Sequence, residues 1–434
     1  MTEATRTAFL VLSSPAGKRR LKRRHAAERR LRFFGIAAIT AAMLFLALML
    51  AGIIAKGWTA AVHTHIRLEV FLDPGVIDPD GGRDPGRMAG ADYQGLARAA
   101  LAAKFPDVRE RSARRDLNAL LSQGAADALR ALVQGDPASV GQRRAVWLPA
   151  SSDIDVLSKG GLRREAPEAE RKVKDNQLAW FEALEAKGDA GWRFNPRFFV
   201  GGDSREPEWA GVGGAIVGSF FALATAIVLA LPIGVFAAVY LEEFAPKNRW
   251  TDFIEINTND LAAVPSIVVG LLGLALFLGV FGLPRSASVV GGMVLALMTL
   301  PVIIIAARAA LKSVPPSIRE AAMGIGASPQ QVVWHHVLPL AVPGILTGAV
   351  IGFARALGES APLLLVGMVA FVVDVPGGAT DPATALPVQI YMWADSPERG
   401  FAEKAAAAIL VLLAFLAVMN SLAVYMRRRF ERRW

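Results

Sequence analysis

Apolar residues in this chain are gathered into six runs, at about residues 33–54, 211–241, 261–283, 288–311, 340–373 and 405–426. At a rise of about 1.5 Å per residue, some twenty residues cross the ~30 Å hydrocarbon layer of a bilayer, so each run is long enough to span it as a helix. Helix is the form the medium demands, because lipid offers no partner to an unpaired backbone amide. Pro232, Pro265, Pro301 and Pro362 fall inside the runs and should kink or break them. Such breaks line substrate paths in some transporters and are plain architecture in others. Small residues at four-residue spacing, Gly344, Gly348 and Gly352 and again Gly214 and Gly218, leave room for close helix contact.

Between the first two runs stands a polar stretch, residues 57–210. Ile66, Leu68, Val70 and Leu72 alternate with Arg67, Glu69 and Phe71, the pattern of a half-buried strand. Residues 93–105, 116–123 and 125–133 read as short helices, 145–148 as a second strand, and 73–87, dense in Pro, Gly and Asp, as a loop. The fold class expected is therefore an all-α integral membrane protein of six transmembrane helices with a small inserted α+β domain. Its parts are a basic N-terminal segment (1–32), a first transmembrane helix (33–56), a soluble domain (57–210), a five-helix membrane domain (211–426) and a basic tail (427–434).

The charge supports this plan. The 434 residues are 53% hydrophobic and 20% charged, with a net charge of +9. That excess looks like nucleic-acid chemistry until it is located. Arg6, Lys18, Arg19, Arg20, Lys22, Arg23, Arg24, Arg29, Arg30 and Arg32 precede the first run, and Arg427, Arg428, Arg429, Arg432 and Arg433 follow the last. Lys247 and Arg249, and then Arg308, Lys312 and Arg319, fall in loops on the same side, whereas the opposite side offers little more than Arg285, Arg399 and Lys404. By the positive-inside rule both termini are cytoplasmic and the soluble domain is periplasmic, in a multi-pass protein of the bacterial inner membrane; no nucleic-acid partner is expected. Ala55-Lys56-Gly57 is a poor cleavage site, so the first run reads as an uncleaved anchor.

The chain has no cysteine, which excludes disulfides, thiolate zinc sites and cysteine nucleophiles. His63 and His65 point to one face of a strand but have no evident third ligand, so no metal is expected. No catalytic triad or carboxylate pair is discernible, no cofactor is expected, and no Gly-x-x-x-x-Gly-Lys-Ser/Thr loop is present to hold ATP.

The most informative segment is the loop at 312–339. Ser317 and Glu320 have capping-box spacing after Pro315-Pro316, Gly326 can take the left-handed conformation that ends a helix, and Ser328, Pro329 and Gln331 make a second capped start. Two short helices about a glycine turn make a rigid protrusion, suited to transmitting a push. This segment resembles the permeases of bacterial binding-protein-dependent ABC importers. Their signature is Glu-Ala-Ala, three residues, Gly, nine residues, Ile, one residue, Leu-Pro. Glu320, Ala321, Ala322, Gly326, Leu338 and Pro339 stand at those spacings. His336 departs from the pattern, and Val337 beside it can supply the aliphatic packing. The resemblance implies that this loop docks on a separate ATPase and that the fold is the type I importer permease.

In the fifth run Arg355 lies roughly 16 Å and Glu359 roughly 22 Å along a helix counted from Gly344. Ions there must face protein or a watery path, and at i, i+4 the two share one face. They read either as a substrate path, with Arg355 meeting an anion, or as a structural ion pair. The stretches Ala356-Leu357-Gly358-Glu359-Ser360-Ala361-Pro362, residues 259–268 and Tyr240-Leu241-Glu242-Glu243-Phe244 are similar to the phosphate-specific importers, and to the PstA type among their permeases. This resemblance covers roughly residues 211–434. It implies inorganic phosphate as cargo, with which Arg355 is compatible; Arg355, Glu359 and Ser360 are the candidate substrate-path residues, and membrane lipid surrounds the spans. It also implies three partners: a second, PstC-like permease, a PstB-like ATPase dimer and a periplasmic PstS-like phosphate-binding protein. Molybdate, sulfate and phosphonate are not distinguished from phosphate by the residues themselves. A membrane-anchored sensor is the reading from another class, but it would need a cytoplasmic output domain for which the short basic ends leave no room.

Overall fold

The computed structural model describes residues 15–369 and 371–430. Of the terminal basic residues, Arg6, Arg432 and Arg433 lie outside these. The first apolar run continues the basic segment before it as one 43-residue helix, α1 (Pro15–Gly57).

Beyond it the chain folds a three-stranded antiparallel sheet of order β2-β1-β3, from β1 (Val62–Phe71), β2 (Arg143–Pro149) and β3 (Ala190–Phe194). The alternation read from sequence is real: Ile66, Leu68, Val70 and Leu72 are all fully buried, and Ile66 pairs with Leu148 of β2. They pack on α2 (Tyr93–Lys104) and α3 (Gly124–Gly135), and share one core with α4 (Ser152–Ser158) and α5 (Asp175–Ala186). Three expectations need correction. Residues 73–87 hold two one-turn helices, Pro74–Ile77 and Pro85–Ala89, each started by an Asp-Pro step whose carboxylate accepts from the amide two residues on. The helix expected at 116–123 lies at Arg111–Asn118. The strand β3 and helices α4 and α5 were not anticipated.

His63 is buried, with Nε2 3.0 Å from the Ala150 carbonyl and Nδ1 3.1 Å from the Asp155 carboxylate. The His65 Nδ1 lies 2.9 Å from the His63 carbonyl, and burial lowers its pKa. Both rings thus serve the interior of the domain. Asp155 also accepts from the Thr64 amide at 2.7 Å and from Lys159 Nζ at 2.7 Å.

The membrane part comprises α6 (Gly213–Val239), α7 (Arg249–Ala262), α8 (Ser266–Gly273), α9 (Ser288–Lys312), α10 (Pro316–Gly324), α11 (Leu338–Leu357), α12 (Ala361–Leu365) and α13 (Gly400–Phe430). By length and composition five helical segments can cross a membrane: Leu21–Ala61, Gly213–Phe244, Ser288–Lys312, Pro329–Leu357 and Gly400–Arg429. The bent pair Arg249–Ala262 and Ser266–Val280, which turn through 103°, makes up to six. That run was expected to begin at 261 as one span. Instead the Asn248 side chain caps a helix from Arg249, and Pro265, which cannot donate a helical hydrogen bond, breaks the path. Pro232 and Pro301, by contrast, lie within continuous helices.

The glycines of the fifth run settle its packing. A Cβ on Gly344 would lie 2.8 Å from Ala310 Cβ, one on Gly348 would collide with Ala306, and one on Gly352 would sit 3.5 Å from Val302. Small residues on α11 therefore face α9 at matching four-residue steps. Gly218 instead accommodates the Thr384 carbonyl of a loop.

The last helix is bolted to the sheet-bearing region. Lys159 Nζ bridges Asp155 and Glu403 Oε1 at 2.7 and 2.8 Å, and the Thr59 hydroxyl donates to Glu403 Oε2 at 2.8 Å. Gly57 presses on the backbone of Ala406 and Ala407, where a Cβ would come within 2.9 Å.

Candidate functional site

The loop after α9 builds a compact hairpin. Pro316 takes the first helical position of α10, where a missing amide costs nothing. Pro315 is the N-cap and makes no side-chain cap bond, so the expected Ser317–Glu320 capping box does not form; Ser317 already lies inside the first turn. The exit of α10 follows the sequence reading. Gly326 has φ +90°, its amide donates to the Met323 carbonyl at 2.9 Å, and that of Ala327 donates to Ala322 at 3.1 Å. The second box forms, with the Ser328 amide donating to Gln331 Oε1 at 2.9 Å and the Gln331 amide reaching Ser328 Oγ at 3.4 Å. One wide π-helical turn, Val332–Val337, then runs into α11.

The hairpin has an apolar root and an exposed rim. Ala322, Val332, Val333 and Val337 are buried with Ala238, Val239, Ala307, Leu311 and Val314 in one cluster. Val337 is fully buried while His336 is half-buried, so the aliphatic contact sits one position later than in the signature. Leu338 and Pro339 are half-buried where α11 begins. Glu320, Ala321 and Gly326 face outward, as do Met323, Trp334 and Ile325, the last 82% exposed.

Charged residues fix the root. Arg319 donates through Nη2 and Nε to the two carboxylate oxygens of Glu243, at 2.7 and 3.3 Å, and to the carbonyls of Val314 and Leu311 at 2.7 and 3.0 Å. Glu242 stands 3.4 Å from Arg308 and 3.6 Å from Lys312, and Arg308 also donates to Glu255 at 2.8 Å. Glu242 and Glu243 lie in the π turn Tyr240–Phe244 that ends α6. The ends of α6 and α9, the start of α10 and the middle of α7 are thereby tied together. Sequence reasoning noted the Tyr240–Phe244 stretch but missed this role, because a partner 76 residues away leaves no periodic trace.

The second set of expected residues is arranged differently from the reading. The helix α11 ends at Leu357, so Arg355 lies in its last turn rather than midway, and Glu359 is outside it. The i, i+4 register is lost, and among the described residues Arg355 and Glu359 form no ion pair. The reason is Gly358 followed by Pro362: a helix continued to Pro362 would lose its bond to the Gly358 carbonyl and clash with it. Ser360 instead caps α12 with its carbonyl, accepting from the Leu364 amide at 2.9 Å. Arg355 is exposed, and Glu359 and Ser360 are half-exposed. The segment after Ser360 packs on α8, where a Cβ on Gly270 would lie 2.7 Å from Pro362 Cα. The broken third run and the broken fifth run therefore meet.

Residues 230–433 match the family described as binding-protein-dependent transport system inner membrane component, and residues 18–168 match a domain of unknown function, DUF3333. The probable ABC transporter permease protein YqgI of Bacillus subtilis is 35% identical over 155 residues, which are 36% of this chain and 52% of that protein. The chain thus spans about half the length of that relative. It covers more of two others. The phosphate transport system permease protein PstA 1 of Mycobacterium tuberculosis is 34% identical over 50% of this chain and 70% of its own length. PstA of Haemophilus influenzae is 32% identical over 49% of this chain and 74% of its own.

Proposed function

Because this chain belongs to the PstA-type phosphate transport permeases within the binding-protein-dependent importers, we propose that it is the permease half of an ATP-driven importer of inorganic phosphate. The observation that carries the reading is the hairpin from Pro316 to Leu338, with an apolar root and an exposed rim. In this reading both termini and the hairpin are cytoplasmic, the soluble domain is periplasmic, and the protein sits in the bacterial inner membrane. The exposed Glu320, Ala321 and Ile325 seat in a separate ATPase. Ala322, Gly326, Leu338 and Pro339 hold the shape of the docked element. A PstB-like ATPase dimer closes on ATP and pushes the hairpin. Because Arg319, Arg308 and their carboxylate partners link α6, α7, α9 and α10, the push moves the helices as a group.

A PstC-like permease completes the path and a PstS-like binding protein delivers the phosphate. Arg355, exposed at the end of α11 without a carboxylate partner among the described residues, meets the anion, with Glu359 and Ser360 beside it. The coupling assignment is tested by Glu320→Lys, with retention of the ATPase on the purified permease complex as the readout. Charge reversal on a docked rim should weaken retention about tenfold or more, ~1.4 kcal/mol, and depress uptake with it. Undiminished co-purification together with normal uptake would remove the hairpin from the coupling role.

A further inference from the structure

The edge of the soluble domain carries an apolar patch that its own core does not use. Trp58 is 51% exposed and its ring contacts Trp192 at 6.0 Å. Trp192 and Phe194 are two apart on β3 and so project to one face, 47% and 65% exposed. Phe194 stacks at 6.0 Å on Phe199, and Val200 beside it is 70% exposed. Five large side chains thus form one continuous exposed strip, of a kind a soluble surface rarely leaves bare.

Its place in the chain says what covers it. Trp58 directly follows α1, a membrane-crossing helix by length and composition. At the other end, a Cβ on Gly213, the first residue of α6, would lie 2.7 Å from the Val200 carbonyl carbon, and the Val212 amide donates to the Phe198 carbonyl at 2.7 Å. The sheet register agrees, because Phe194 pairs with Val62, the first residue of β1, while Phe71 stands at the far end. The strip therefore begins where the chain leaves one span and ends where it enters the next. That is the level at which tryptophan belts, and phenylalanines of interfacial segments, meet the headgroup and acyl boundary.

We propose that this strip is a membrane foot: the soluble domain rests on the bilayer, with Trp58, Trp192, Phe194, Phe199 and Val200 seated among phospholipids of the leaflet on its side. The absence of native cysteine makes the test direct. Phe194→Cys, Val200→Cys and, as a distal control, Phe71→Cys are each nitroxide-labelled in the assembled transporter. The complex is placed in vesicles of phosphatidylethanolamine and phosphatidylglycerol. Collision rates with oxygen and with a water-soluble nickel chelate are then compared. The foot predicts that positions 194 and 200 favour oxygen and collide with nickel several-fold less than position 71. Nickel access equal to that at 71 would overturn it in favour of a solvated surface. Exclusion of both reagents would overturn it in favour of a protein partner. Trp192→Cys serves the same comparison should Phe194→Cys fail to fold.

Discussion

Arg319, outside the signature, holds the hairpin at its root. Its guanidinium supplies both N–H donors of a fork to Glu243 and two more bonds to carbonyls at the end of α9. Arg319→Met would leave Glu243, only 10% exposed, without its partner, and should cost about 2 kcal/mol. Thermal unfolding of the solubilised chain checks this, and Arg319→Lys should recover part of the loss. Asp155 offers a second test. Burial raises its carboxyl, but the charges and hydrogen bonds of His63 and Lys159 outweigh burial and hold it below the ordinary carboxylate range. The unfolded chain then takes up the proton first, so the stabilisation is complete above about pH 4 and is lost as pH falls below it. The unfolding midpoint of the domain should drop on acidification from about pH 5 to 3, and Asp155→Asn should flatten that dependence. Some of this scale was legible in the sequence. Gly326, Ser328 and Gln331 act locally, within a few residues, and behave as their types demand. Ser317 and the Arg355–Glu359 spacing misled, because each rested on where a helix begins or ends, and prolines moved both boundaries.

At the scale of elements, α9 and α11 meet at close quarters. Gly348 has no room for a Cβ against Ala306, so Gly348→Val should separate the two helices and lower the yield of folded chain sharply. The double variant Gly348→Val with Ala306→Gly should restore much of it, and equal damage in both would argue against a specific contact. Long apolar helices were the legible elements: 288–311 was read almost as it folds, Ser288–Lys312. Composition announces such a segment whatever its neighbours do. The third run was less legible, since composition does not reveal a 103° bend, although Pro265 pointed to the place. β3 was missed for another reason. Ala190–Phe194 is short, contains Gly191 and turns its large residues Trp192 and Phe194 outward, so no buried alternation marks it.

At the scale of the whole molecule, the sheet-bearing region is no loose attachment. Lys159 reaches across 244 residues of sequence to Glu403 on α13, and Thr59 shares the same carboxylate. Lys159→Met should leave Glu403 and Asp155 without their shared cation and raise amide exchange in both α4 and the start of α13, at a cost of about 3 kcal/mol. No local pattern could foretell a bond of that span. The apolar spans were legible because apolarity is summed over long segments, and membrane-length helices stand where those runs were read. The central claim is that this chain conducts phosphate as one half of an ATP-driven importer. Uptake of labelled phosphate into vesicles, by the chain reconstituted with its second permease, ATPase and binding protein, tests it most directly. The account predicts ATP-dependent phosphate uptake that excess sulfate or molybdate does not displace, and its loss in Arg355→Gln with assembly intact. Uptake of one of those oxyanions in place of phosphate would contradict it, and full phosphate transport by Arg355→Gln would remove Arg355 from the substrate path.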